Sequence, residues 1–559
     1  MVWFADFETT RIDETHAGVY LGYIEQLDSN IGYHFLTIKE MFDFVCSAKT
    51  KERHIIYFHN LTWDAEFIIW WLINNGFIPA HNKIEKAGQF KERTDYLGSK
   101  IELYINIKGR KILLLDAYKL WPYKLEEIGN SLGFEKLKIE HNDYIKYNNI
   151  NEVPKEQLEY VKRDTQILKL KYLNYSKTYD IKKTASSSSW SNFKNWFDQQ
   201  FDNKEFRYKY SIAEHWHKHL SFGYFGGLTQ INPNYINNEL VGKFNIYDIN
   251  SSYPSIFVNE LLPYGVPQLT KPEGDYVEII EAVISNIQKK DKQMISHLHN
   301  WTKFGRMNNI YIDNYEGSMK VMYVSQEWEQ LKLTYEFEVI EQSSIYFKAS
   351  KQLGAYIEQL YHLKENEKDK IVRTDHKQIL NTFTGKWGQS LLRTSKQLRL
   401  ATDDDDRKYH YGKYVYDIYP DKSKEIKYIP IAIFVTSLAR VKLLEAIRAN
   451  INDFIYCDTD SIIFLENKKG YAKINIDNSK LGFWKLENIA TRIKILKPKF
   501  YILQLIDGTL KRTLAGINKE CHSLYNFDNF YLGSKIEQGN LKKRKLIGGY
   551  VLEKEDVVI

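Results

Sequence analysis

Hydrophobic and polar positions follow two different periods along the first 180 residues. Apolar runs rich in β-branched side chains, such as 111–116, are typical of strands, whereas runs such as 63–75 follow the period of a helix. Strands that alternate with helices predict an α/β domain with helices packed against a sheet. The longest apolar block, 67–73, is far shorter than the ~20 residues that cross a bilayer, so it predicts a buried helix.

The pattern changes after this region. Residues 186–189 are four consecutive serines, which predict a linker before a helical segment that leads to residues 224–227. Strands return after residue 228, a long helical stretch covers 351–383, and further strands follow at 456–464 and 499–503. The second part of the chain is therefore expected to hold an interrupted sheet. A chain of 559 residues is long enough for several cores.

Composition restricts the possible functions of the chain only slightly. The net charge of +7 suits a protein with a phosphate-binding groove and carboxylates that hold metal, although it does not establish one. Cys46, Cys457 and Cys521 have no metal-ligand spacing, so neither a zinc site nor a disulfide framework is expected. Because no disulfide framework is expected, we expect a protein of a reducing compartment. The first residues resemble a strand and not a secretory signal.

Two clusters could suggest metal binding but are assigned no chemistry. The four adjacent aspartates at 403–406 lie in a polar stretch and are typical of a solvated loop. His215, His217 and His219 have no carboxylate or cysteine nearby in the sequence, so they predict a solvent-facing helix.

One set of acids lies in the first domain. Asp6 and Glu8 are two apart on a predicted strand, so both carboxylates project from the same face. Asp64 begins a predicted helix, and Asp164 follows Tyr160 by one helical turn on a shared face. Hydrolysis of a phosphodiester with two metal ions needs this supply of carboxylates. Individually, each acid could equally be an ordinary surface residue.

A second set of acids lies far downstream. Asp248 ends a predicted strand that turns at Pro254. Asp458 and Asp460 lie between apolar runs that predict a hairpin, with the acids at its tip. Carboxylates flanked by such apolar strands would be costly to bury unpaired, so a metal is the expected partner.

The first set resembles the three exonuclease motifs of DEDD proofreading domains. The resemblance implies an RNase H-like domain in which Asp6, Glu8, Asp64 and Asp164 bind metal and Tyr160 positions the nucleophile. It also implies contacts to single-stranded DNA from His59, Asn60, Thr9 and Phe67.

The second set resembles family B DNA polymerases. Residues 248–254 match D-x2-S-L/S-Y-P, residues 456–461 match Y-x-D-T-D-S, and residues 377–385 resemble the fingers motif K-x3-N-S-x-Y-G. Residues 436–440 resemble T-x2-A/G-R, and 499–501 match K-x-Y. The resemblance implies that Asp248 and Asp460 bind metal and that Asp458 is an accessory catalytic carboxylate. The implied substrate-binding residues are Tyr253, Ser251, Lys377, Asn381, Lys364, Lys499, Tyr501, Thr436 and Arg440.

The implied chemistry uses two divalent ions per active site, magnesium with manganese as the alternative, and no organic cofactor. The primer 3′-hydroxyl attacks the α-phosphate in line while the metals activate the hydroxyl and neutralise pyrophosphate. Tyr253 would exclude a ribose 2′-hydroxyl, Lys377 would bind the triphosphate, and Lys499 and Tyr501 would hold the primer end.

Three positions depart from the family pattern. Thr384 replaces the fingers tyrosine, so a ring expected beside Tyr253 is missing. Asp116 is followed by alanine and tyrosine where phage relatives have serine and leucine, which leaves that single-strand contact open. Lys138 is the candidate exonuclease lysine, although its spacing differs by one residue.

Within family B, the chain most resembles the protein-primed polymerases of linear phage genomes and plasmids. Residues 224–227 resemble their Y-x-G-G element. The fold implied is an α/β multidomain protein in which a right-hand polymerase with two insertions follows the exonuclease domain. The implied parts are exonuclease 1–180, linker with the Y-x-G-G element 181–230, palm 231–270 and 428–525, terminal-protein insertion 271–350, fingers 351–385, strand-displacement insertion 386–427 and thumb 526–559.

The resemblance implies a monomer in the host cytoplasm that binds primer–template and single-stranded DNA, deoxynucleoside triphosphates and a terminal protein as primer. No membrane partner is expected. Three alternatives stay open: a family B polymerase that uses nucleic-acid primers, a nuclease whose polymerase half is inactive, and a DNA-binding replication scaffold without catalysis. The scaffold would need neither set of acids, so metal-dependent turnover would exclude it.

Overall fold

The N-terminal region is a mixed sheet with helices on its faces, which confirms the α/β prediction. A computed structural model of the protein describes residues 1–29, 31–48, 50, 52–80, 83–95, 101–139, 143–302, 305–402, 405, 410–423, 425–466 and 473–559. The N-terminal elements are β1 (Val2–Arg11), β2 (Ala17–Gln26), β3 (Gly32–Phe35), α1 (Ile38–Ser47), β4 (His54–Phe58), α2 (Asp64–Asn74), β5 (Ile78–Pro79), β6 (Gln89–Asp95), β7 (Ile101–Ile107), β8 (Arg110–Asp116), α3 (Leu125–Ser131) and α4 (Lys155–Ser176).

Three helices lead to the Y-x-G-G element, which confirms the predicted helical segment: α5 (Ala185–Gln200), α6 (Asn203–Lys209) and α7 (Glu214–Leu220). The prediction for residues 186–189 is wrong, because Thr184 caps α5 and Ser188 and Ser189 are fully buried in it. Tertiary packing outweighs the weak helix propensity of serine here. The helix at the histidines is confirmed, but His217 is buried and does not face solvent.

The second half is built on a seven-stranded antiparallel sheet, whose strands in spatial order are β24 (Leu510–Leu514), β23 (Phe500–Leu505), β22 (Trp484–Lys497), β10 (Glu239–Ile249), β21 (Ser461–Leu465), β20 (Phe454–Asp458) and β9 (Thr229–Ile231). Its elements up to the fingers region are β9 (Thr229–Ile231), β10 (Glu239–Ile249), α8 (Ser252–Asn259), β11 (Leu262–Gln268), β12 (Tyr276–Lys289), β13 (Leu298–Thr302), β14 (Gly305–Ile312), β15 (Asn314–Tyr315), β16 (Met319–Val324), α9 (Ser325–Thr334) and β17 (Tyr335–Ser350). β11, β17, β12, β15 and β16 form a separate five-stranded sheet.

The long helical stretch predicted at 351–383 is two helices. They are α10 (Gly354–Asn366) and α11 (Lys370–Trp387), and α11 begins where the Asp369 carboxylate accepts hydrogen bonds from the N–H groups of Ile371 and Val372. The remaining elements are β18 (Leu392–Leu400), β19 (Tyr414–Lys422), α12 (Pro430–Ala449), β20 (Phe454–Asp458), β21 (Ser461–Leu465), β22 (Trp484–Lys497), β23 (Phe500–Leu505), β24 (Leu510–Leu514), β25 (Lys535–Leu546) and β26 (Gly549–Val558).

Two hairpins of the second half contact the N-terminal region. The β18–β19 hairpin extends the first sheet, which has the order β19-β18-β6-β7-β8-β4-β1-β2-β3, with β5 paired to β6. The β25–β26 hairpin packs on α2 through Lys545, which forms an ion pair with Glu66 at 2.8 Å. Asp403, Asp404 and Asp406 lie outside the described residues, while Asp405 pairs with Arg399.

No helix in the described ranges is both long and apolar enough to cross a membrane.

Candidate active sites

Three carboxyl groups of the N-terminal region meet at one point. The ligand oxygens of Asp6, Glu8 and Asp164 lie within 4.8 Å of one another, and no other such acidic, histidine or cysteine group occurs among the described residues. Trp3 and Phe7 enter the core under α1 and α2, so the alternation of β1 directs Asp6 and Glu8 to the opposite face, towards α4. Strand period and helix packing together build this site.

Burial and mutual repulsion raise the pKa values of these acids. Burial, followed by the charge of Asp164, raises the pKa of Asp6 to about 8. Burial, followed by the charge of Asp6, raises the pKa of Glu8 well above its usual value. Carboxylates that share a site in this way cannot all ionise unless cations join them. The site is therefore built to receive positive charge.

Lys136 supplies one such charge, and the sequence prediction missed it. Its ammonium forms an ion pair with Asp164 and lies 4.4 Å from the ring centroid of Tyr160. Lys138, the expected lysine, has a side chain that is 87% exposed and faces Glu126 at 3.6 Å. The spacing signal was correct to within two residues, but only the fold shows which lysine reaches the acids.

Asp64 lies next to this group but not in it. It is buried at the start of α2, and burial followed by the charge of Asp6 raises its pKa well above the usual value. Its ligand oxygens lie outside the 4.8 Å group formed by the other three acids. Asp64 is thus close enough to interact electrostatically with Asp6.

Three residues expected to hold single-stranded DNA lie on β1 or on the turn between β4 and α2, the elements that also carry Asp6, Glu8 and Asp64. Asn60 is exposed and has a φ of 65°, and its N–H donates to the Asp116 carboxylate at 3.0 Å. The Thr9 hydroxyl accepts from the Trp63 indole N–H at 3.2 Å. Burial lowers the pKa of His59 to about 4, so this ring is neutral at neutral pH. Asp116 therefore fixes the turn that presents Asn60.

Phe67 does not match its expected role. It is buried in the core of the N-terminal region, and a Cβ placed on Gly549 of β26 would lie 2.2 Å from its ring. The C-terminal hairpin therefore covers Phe67. A direct contact from Phe67 to DNA does not fit this arrangement, because the ring is 2% exposed and covered by the hairpin.

The second set of acids meets on the seven-stranded sheet. Asp248 ends β10 and pairs in register with Ser461 of β21, while Asp458 ends β20. Thr459 forms the tight turn with a φ of 61°, and the Asp460 carbonyl accepts from the Ile249 N–H at 2.8 Å. The hairpin predicted from the sequence is confirmed, and it brings Asp460 beside Asp248.

Asp458 is held by its neighbours and differs from the other two acids. The Lys499 ammonium donates to both of its oxygens at 2.8 Å, and the Thr229 hydroxyl donates at 2.9 Å. The Lys499 N–H donates to the Tyr456 hydroxyl, whose ring packs edge-on against Tyr501. Lys499 and Tyr501 therefore lie beside the acids, where the sequence motif predicted them.

Asp248 and Asp460 have raised pKa values. Burial, then Asp460 and Glu487, raise the pKa of Asp248 to about 7, while Lys377 opposes the shift. Burial and the charge of Asp458 raise the pKa of Asp460, again opposed by Lys377. The two carboxylates thus form a second electrostatic site that favours cations.

These two acids open into a cavity of about 650 Å³. Five predicted substrate-binding residues line it: Tyr253, Ser251, Lys377, Asn381 and Lys364. The sequence prediction missed others on the same wall, namely Tyr361, Arg373, Lys485 and Glu487. Arg373 lies one helical turn before Lys377 on α11, so helical spacing from Lys377 could have found it. The lining therefore combines four acids with four cations: Asp248, Asp460, Glu365 and Glu487 with Lys364, Arg373, Lys377 and Lys485.

Lys364 connects the α10 helix to the turn after Asp248. Its ammonium donates to the Ser251 hydroxyl at 3.3 Å and forms an ion pair with Glu365 at 3.0 Å. Ser251 has a φ of 50°, an uncommon conformation for a residue other than glycine. Burial lowers the pKa of Lys364.

Arg440 and Thr436 are buried and do not line the cavity. Arg440 is 2% exposed, and its guanidinium forms a two-point ion pair with Glu327, with both contacts at 2.6 Å. It also donates to the carbonyls of Phe225 and Gly226 at 2.9 and 2.8 Å. The Thr436 hydroxyl is bonded within its own helix. The expected direct substrate contacts from these two residues are wrong for this structure, because each side chain is satisfied inside the protein.

Arg440 instead acts on the Y-x-G-G element. A Cβ placed on Gly227 would lie 2.5 Å from the Thr459 hydroxyl, and the Thr459 N–H donates to the Leu228 carbonyl at 2.8 Å. The element that Arg440 holds therefore packs directly on the turn between Asp458 and Asp460. Only glycine fits at position 227.

Thr384 does not replace the missing tyrosine in the cavity. It is buried in α11, and its hydroxyl oxygen has no hydrogen-bond partner among the residues that the structure describes. It is not among the residues that line the cavity. Tyr253 lines the cavity, and burial raises its pKa to about 12.

The donor atoms of both sites suit hard divalent cations. Carboxylate oxygens are the ligands that Mg²⁺ and Mn²⁺ prefer. Asp6, Glu8 and Asp164 could hold such ions in the first site with Asp64 nearby, and Asp248 and Asp460 in the second. The raised pKa values of Asp6 and Asp248 are the expected result of acids placed together for an ion.

Known proteins resemble the chain over its whole length. A family model described as DNA polymerase type B, organellar and viral, matches residues 133–476. The DNA polymerase of Bacillus phage PZA is 27% identical over 99% of this chain and 98% of its own length. That of Bacillus phage phi29 is 26% identical over 99% and 97%, and that of Streptococcus phage Cp-1 is 25% identical over 90% and 87%.

The fold also resembles solved structures. Phi29 DNA polymerase complexed with primer-template DNA and incoming nucleotide substrates has a TM-score of 0.85 and 23% identity, and the match covers 100% of this chain and 99% of that one. Phi29 DNA polymerase complexed with single-stranded DNA has a TM-score of 0.82 and 24% identity over the same shares. This likeness confirms the α/β multidomain fold that the motifs implied.

Proposed function

The chain belongs to the organellar and viral type B DNA polymerases, as its motifs predicted, and we propose that it extends primers at Asp248 and Asp460 and proofreads at the Asp6 group. DNA-directed DNA polymerisation is the activity of the family. The observation that best supports the assignment is the 650 Å³ cavity, whose lining brings Asp248 and Asp460 together with Lys364, Arg373, Lys377 and Lys485. A triphosphate and two divalent ions need this combination.

In this proposal each cavity residue acts on one part of the nucleotide. Lys377, Lys364 and Arg373 bind the triphosphate, since they line the same cavity as Asp248 and Asp460. Tyr253 lies under the sugar and excludes a 2′-hydroxyl. When bound, magnesium ions lower the pKa of the primer 3′-hydroxyl and neutralise the departing pyrophosphate. Lys499 and Tyr501 position the primer end beside Asp458, to which Lys499 is already paired.

The exonuclease assignment rests on the other acids. Asp6, Glu8 and Asp164 would hold the same kind of ions, with Asp64 as a further carboxylate. Tyr160 would orient the attacking water, and Lys136 would hold Asp164 and stabilise the negative charge that develops on the phosphate. His59, Asn60 and Thr9 would guide the unpaired 3′ end to these acids.

Two hairpins support strand displacement and high processivity. The β18–β19 hairpin pairs with β6 of the first sheet, and the β25–β26 hairpin packs on α2. Tyr411 donates to Glu66, the same carboxylate that pairs with Lys545. Both hairpins thus meet on the exonuclease region. We interpret this junction as a closure around DNA that keeps the enzyme on its template and separates the displaced strand.

Priming by a terminal protein is the most specific part of the proposal. It is supported by the likeness to phage DNA polymerases and by residues 271–350, which contribute β12, β15, β16 and β17 to a five-stranded sheet outside the polymerase sheet. This sheet would contact the terminal protein, and the enzyme would work in the host cytoplasm as a monomer. Nucleic-acid priming is the alternative. Incubation of the enzyme with its terminal protein, template and labelled deoxynucleoside triphosphates distinguishes the two, since only protein priming labels the protein.

One experiment tests both active sites. A 5′-labelled primer on a longer template is incubated with magnesium, with and without deoxynucleotides. Asp460→Ala should abolish extension and leave degradation, whereas Asp6→Ala should do the reverse. Glu156→Ala, an exposed acid on α4, is the matched control and should change neither. Degradation by the wild type without any extension would contradict the polymerase assignment.

A further inference from the structure

A second cavity, of about 300 Å³, lies between α12 and the 473–484 segment that leads into β22. All of its lining residues belong to that helix or to that segment. The same segment also contributes Asn478 to the 650 Å³ cavity into which Asp248 and Asp460 open, and Lys485 follows it there. One stretch of chain therefore forms part of the lining of both cavities.

Lys442 is the residue of α12 that reaches across to this segment. Its ammonium donates a hydrogen bond to the Gly482 carbonyl. The side chain is partly buried, and burial lowers the pKa of Lys442 while the charges of Glu260 and Glu445 oppose the shift. A hydrogen bond from a charged donor is stronger than one between neutral groups. Lys442 therefore holds the carbonyl oxygen of Gly482 firmly.

Gly482 transmits this contact to the turn after Asp248. It has a φ of 81°, and a Cβ placed on it would lie 2.8 Å from the Cβ of Ser255 on α8, so glycine is required here. Its N–H donates to the Asn250 carbonyl at 2.8 Å, and the Asn250 N–H donates to the Phe483 carbonyl at 3.0 Å. Gly482 is thus bonded to Lys442 on one side and to Asn250 on the other.

The 473–484 segment is also bonded to two parts of the 650 Å³ cavity. Asn250 lines this cavity, and its side-chain amide donates to the Asp477 carbonyl at 2.9 Å. Tyr361 of the fingers helix α10 lines it too, and its hydroxyl donates to the Ser479 carbonyl at 2.9 Å. A displacement of the segment would therefore move the cavity lining at both places.

We propose that Lys442 is a positioning residue for the polymerase reaction, which holds the Gly482 carbonyl and thereby sets where Asn250 meets the incoming nucleotide beside Asp248. Lys442 does not line the 650 Å³ cavity, so it acts on the nucleotide only through Gly482 and Asn250. This inference rests on the proposed function, since it needs a nucleotide bound beside Asp248.

Steady-state primer extension tests the proposal because it measures KM for deoxynucleotides and kcat separately. Lys442→Ala and Lys442→Met should each raise KM about tenfold and lower kcat less than about twofold, the size expected for the loss of one hydrogen bond from a charged donor. Degradation of single-stranded DNA should be unchanged in both variants, which shows that they are folded. Lys473→Ala, an exposed lysine in the lining of the same 300 Å³ cavity, is the matched control and should keep the wild-type KM.

Chemical rescue separates the hydrogen bond from side-chain packing. Propylammonium has the shape of the part of the side chain that Lys442→Ala removes, and the 300 Å³ cavity has room for it. It should lower the KM of Lys442→Ala towards the wild-type value. It should not do so for Lys442→Met, because the methionine side chain fills the same space. Tetramethylammonium has the same charge but no N–H to donate, so it controls for ionic strength and should leave KM unchanged.

Three outcomes would overturn the proposal. They are a wild-type KM in both Lys442 variants, a raised KM in Lys442→Ala that propylammonium does not lower, and equal losses of extension and degradation, which would indicate a structural role alone. Failure of the wild type to extend any primer is a different result, because it would refute the proposed function itself.

Discussion

Lys171 of α4 and Asp375 of α11 form an ion pair whose side chains are only 1% and 3% exposed. α4 also contains Asp164 of the first acidic site, and α11 contains Lys377, which lines the 650 Å³ cavity beside Asp248 and Asp460. The pair therefore joins the helix of one active site to the helix of the other. Next to it, Tyr179 is hydrogen-bonded to His376.

Breaking this pair should destabilise the protein more than replacing it. Lys171→Met should cost about 3–5 kcal/mol, because it leaves the Asp375 charge buried and unpaired. Lys171→Met combined with Asp375→Leu should recover most of that loss. Thermal unfolding measures the stabilities. Equal unfolding temperatures for the single and double variants would contradict this account.

The same variants should change nucleotide binding. Asp375 lies two residues before Lys377, so loss of the ion pair should move the lysine and raise KM for deoxynucleotides more than it lowers kcat. Steady-state extension measures both constants. An unchanged KM in the single variants would show that the pair stabilises the fold without positioning α11.

Lys136 should matter for degradation and not for extension. Lys136→Ala removes the cation paired with Asp164, so hydrolysis of a single-stranded oligonucleotide should fall about 100-fold, the size of effect seen when one stabilising donor is lost. Lys138→Ala is the matched control, because that side chain is 87% exposed. Equal loss of hydrolysis in the two variants would contradict the assignment.

The sequence predicted side-chain positions best where the two-residue period of a strand alone determines them. Asp6 with Glu8, and Asp458 with Asp460, could be predicted because each pair lies two residues apart on or next to a strand. Contacts between elements far apart in the sequence produce no such spacing of residues. Lys136 with Asp164, and Arg440 with Glu327, depend on how helices pack, and the serines of α5 form a helix only because α11 covers them.

Arg440 should act through the protein and not through DNA. Arg440→Ala and Glu327→Ala should each destabilise the fold by about 3–5 kcal/mol, with a combined cost well below the sum, because they break the same buried pair. Both should slow extension, since Arg440 holds the Y-x-G-G element against Thr459. Chemical denaturation and primer extension measure these effects.

The salt dependence of DNA binding tests whether the Arg440 guanidinium contacts DNA directly. If its guanidinium contacted a phosphate, Arg440→Ala would lower the slope of log K against log salt by about 1, and Glu327→Ala would not. We expect the slope to be unchanged in both variants, because the guanidinium already donates hydrogen bonds to Glu327 and to two backbone carbonyls.

Glu92 should make the docking of the β18–β19 hairpin sensitive to pH. Burial, followed by the charge of Glu66, raises the pKa of Glu92 to about 7, while Thr94, Tyr416 and Lys545 oppose the shift. Because the folded-state pKa is raised, the stabilisation is complete below the unfolded pKa, about 4.5. It is lost as the pH rises through about 7.

Glu92→Gln tests this directly, because the amide stays neutral at every pH. The wild type should lose up to about 3 kcal/mol of stability between pH 5 and pH 8 from this group, and the variant should not. Amide hydrogen exchange in β18 and β19 locates the effect, since Tyr416 of β19 donates to the Glu92 carboxylate at 2.9 Å. Glu126→Gln, an exposed acid, is the control and should keep the wild-type slope. The same slope in Glu92→Gln as in the wild type would mean that Glu92 is ionised in the folded protein, stabilised by Lys545 and Tyr416 more strongly than burial opposes it.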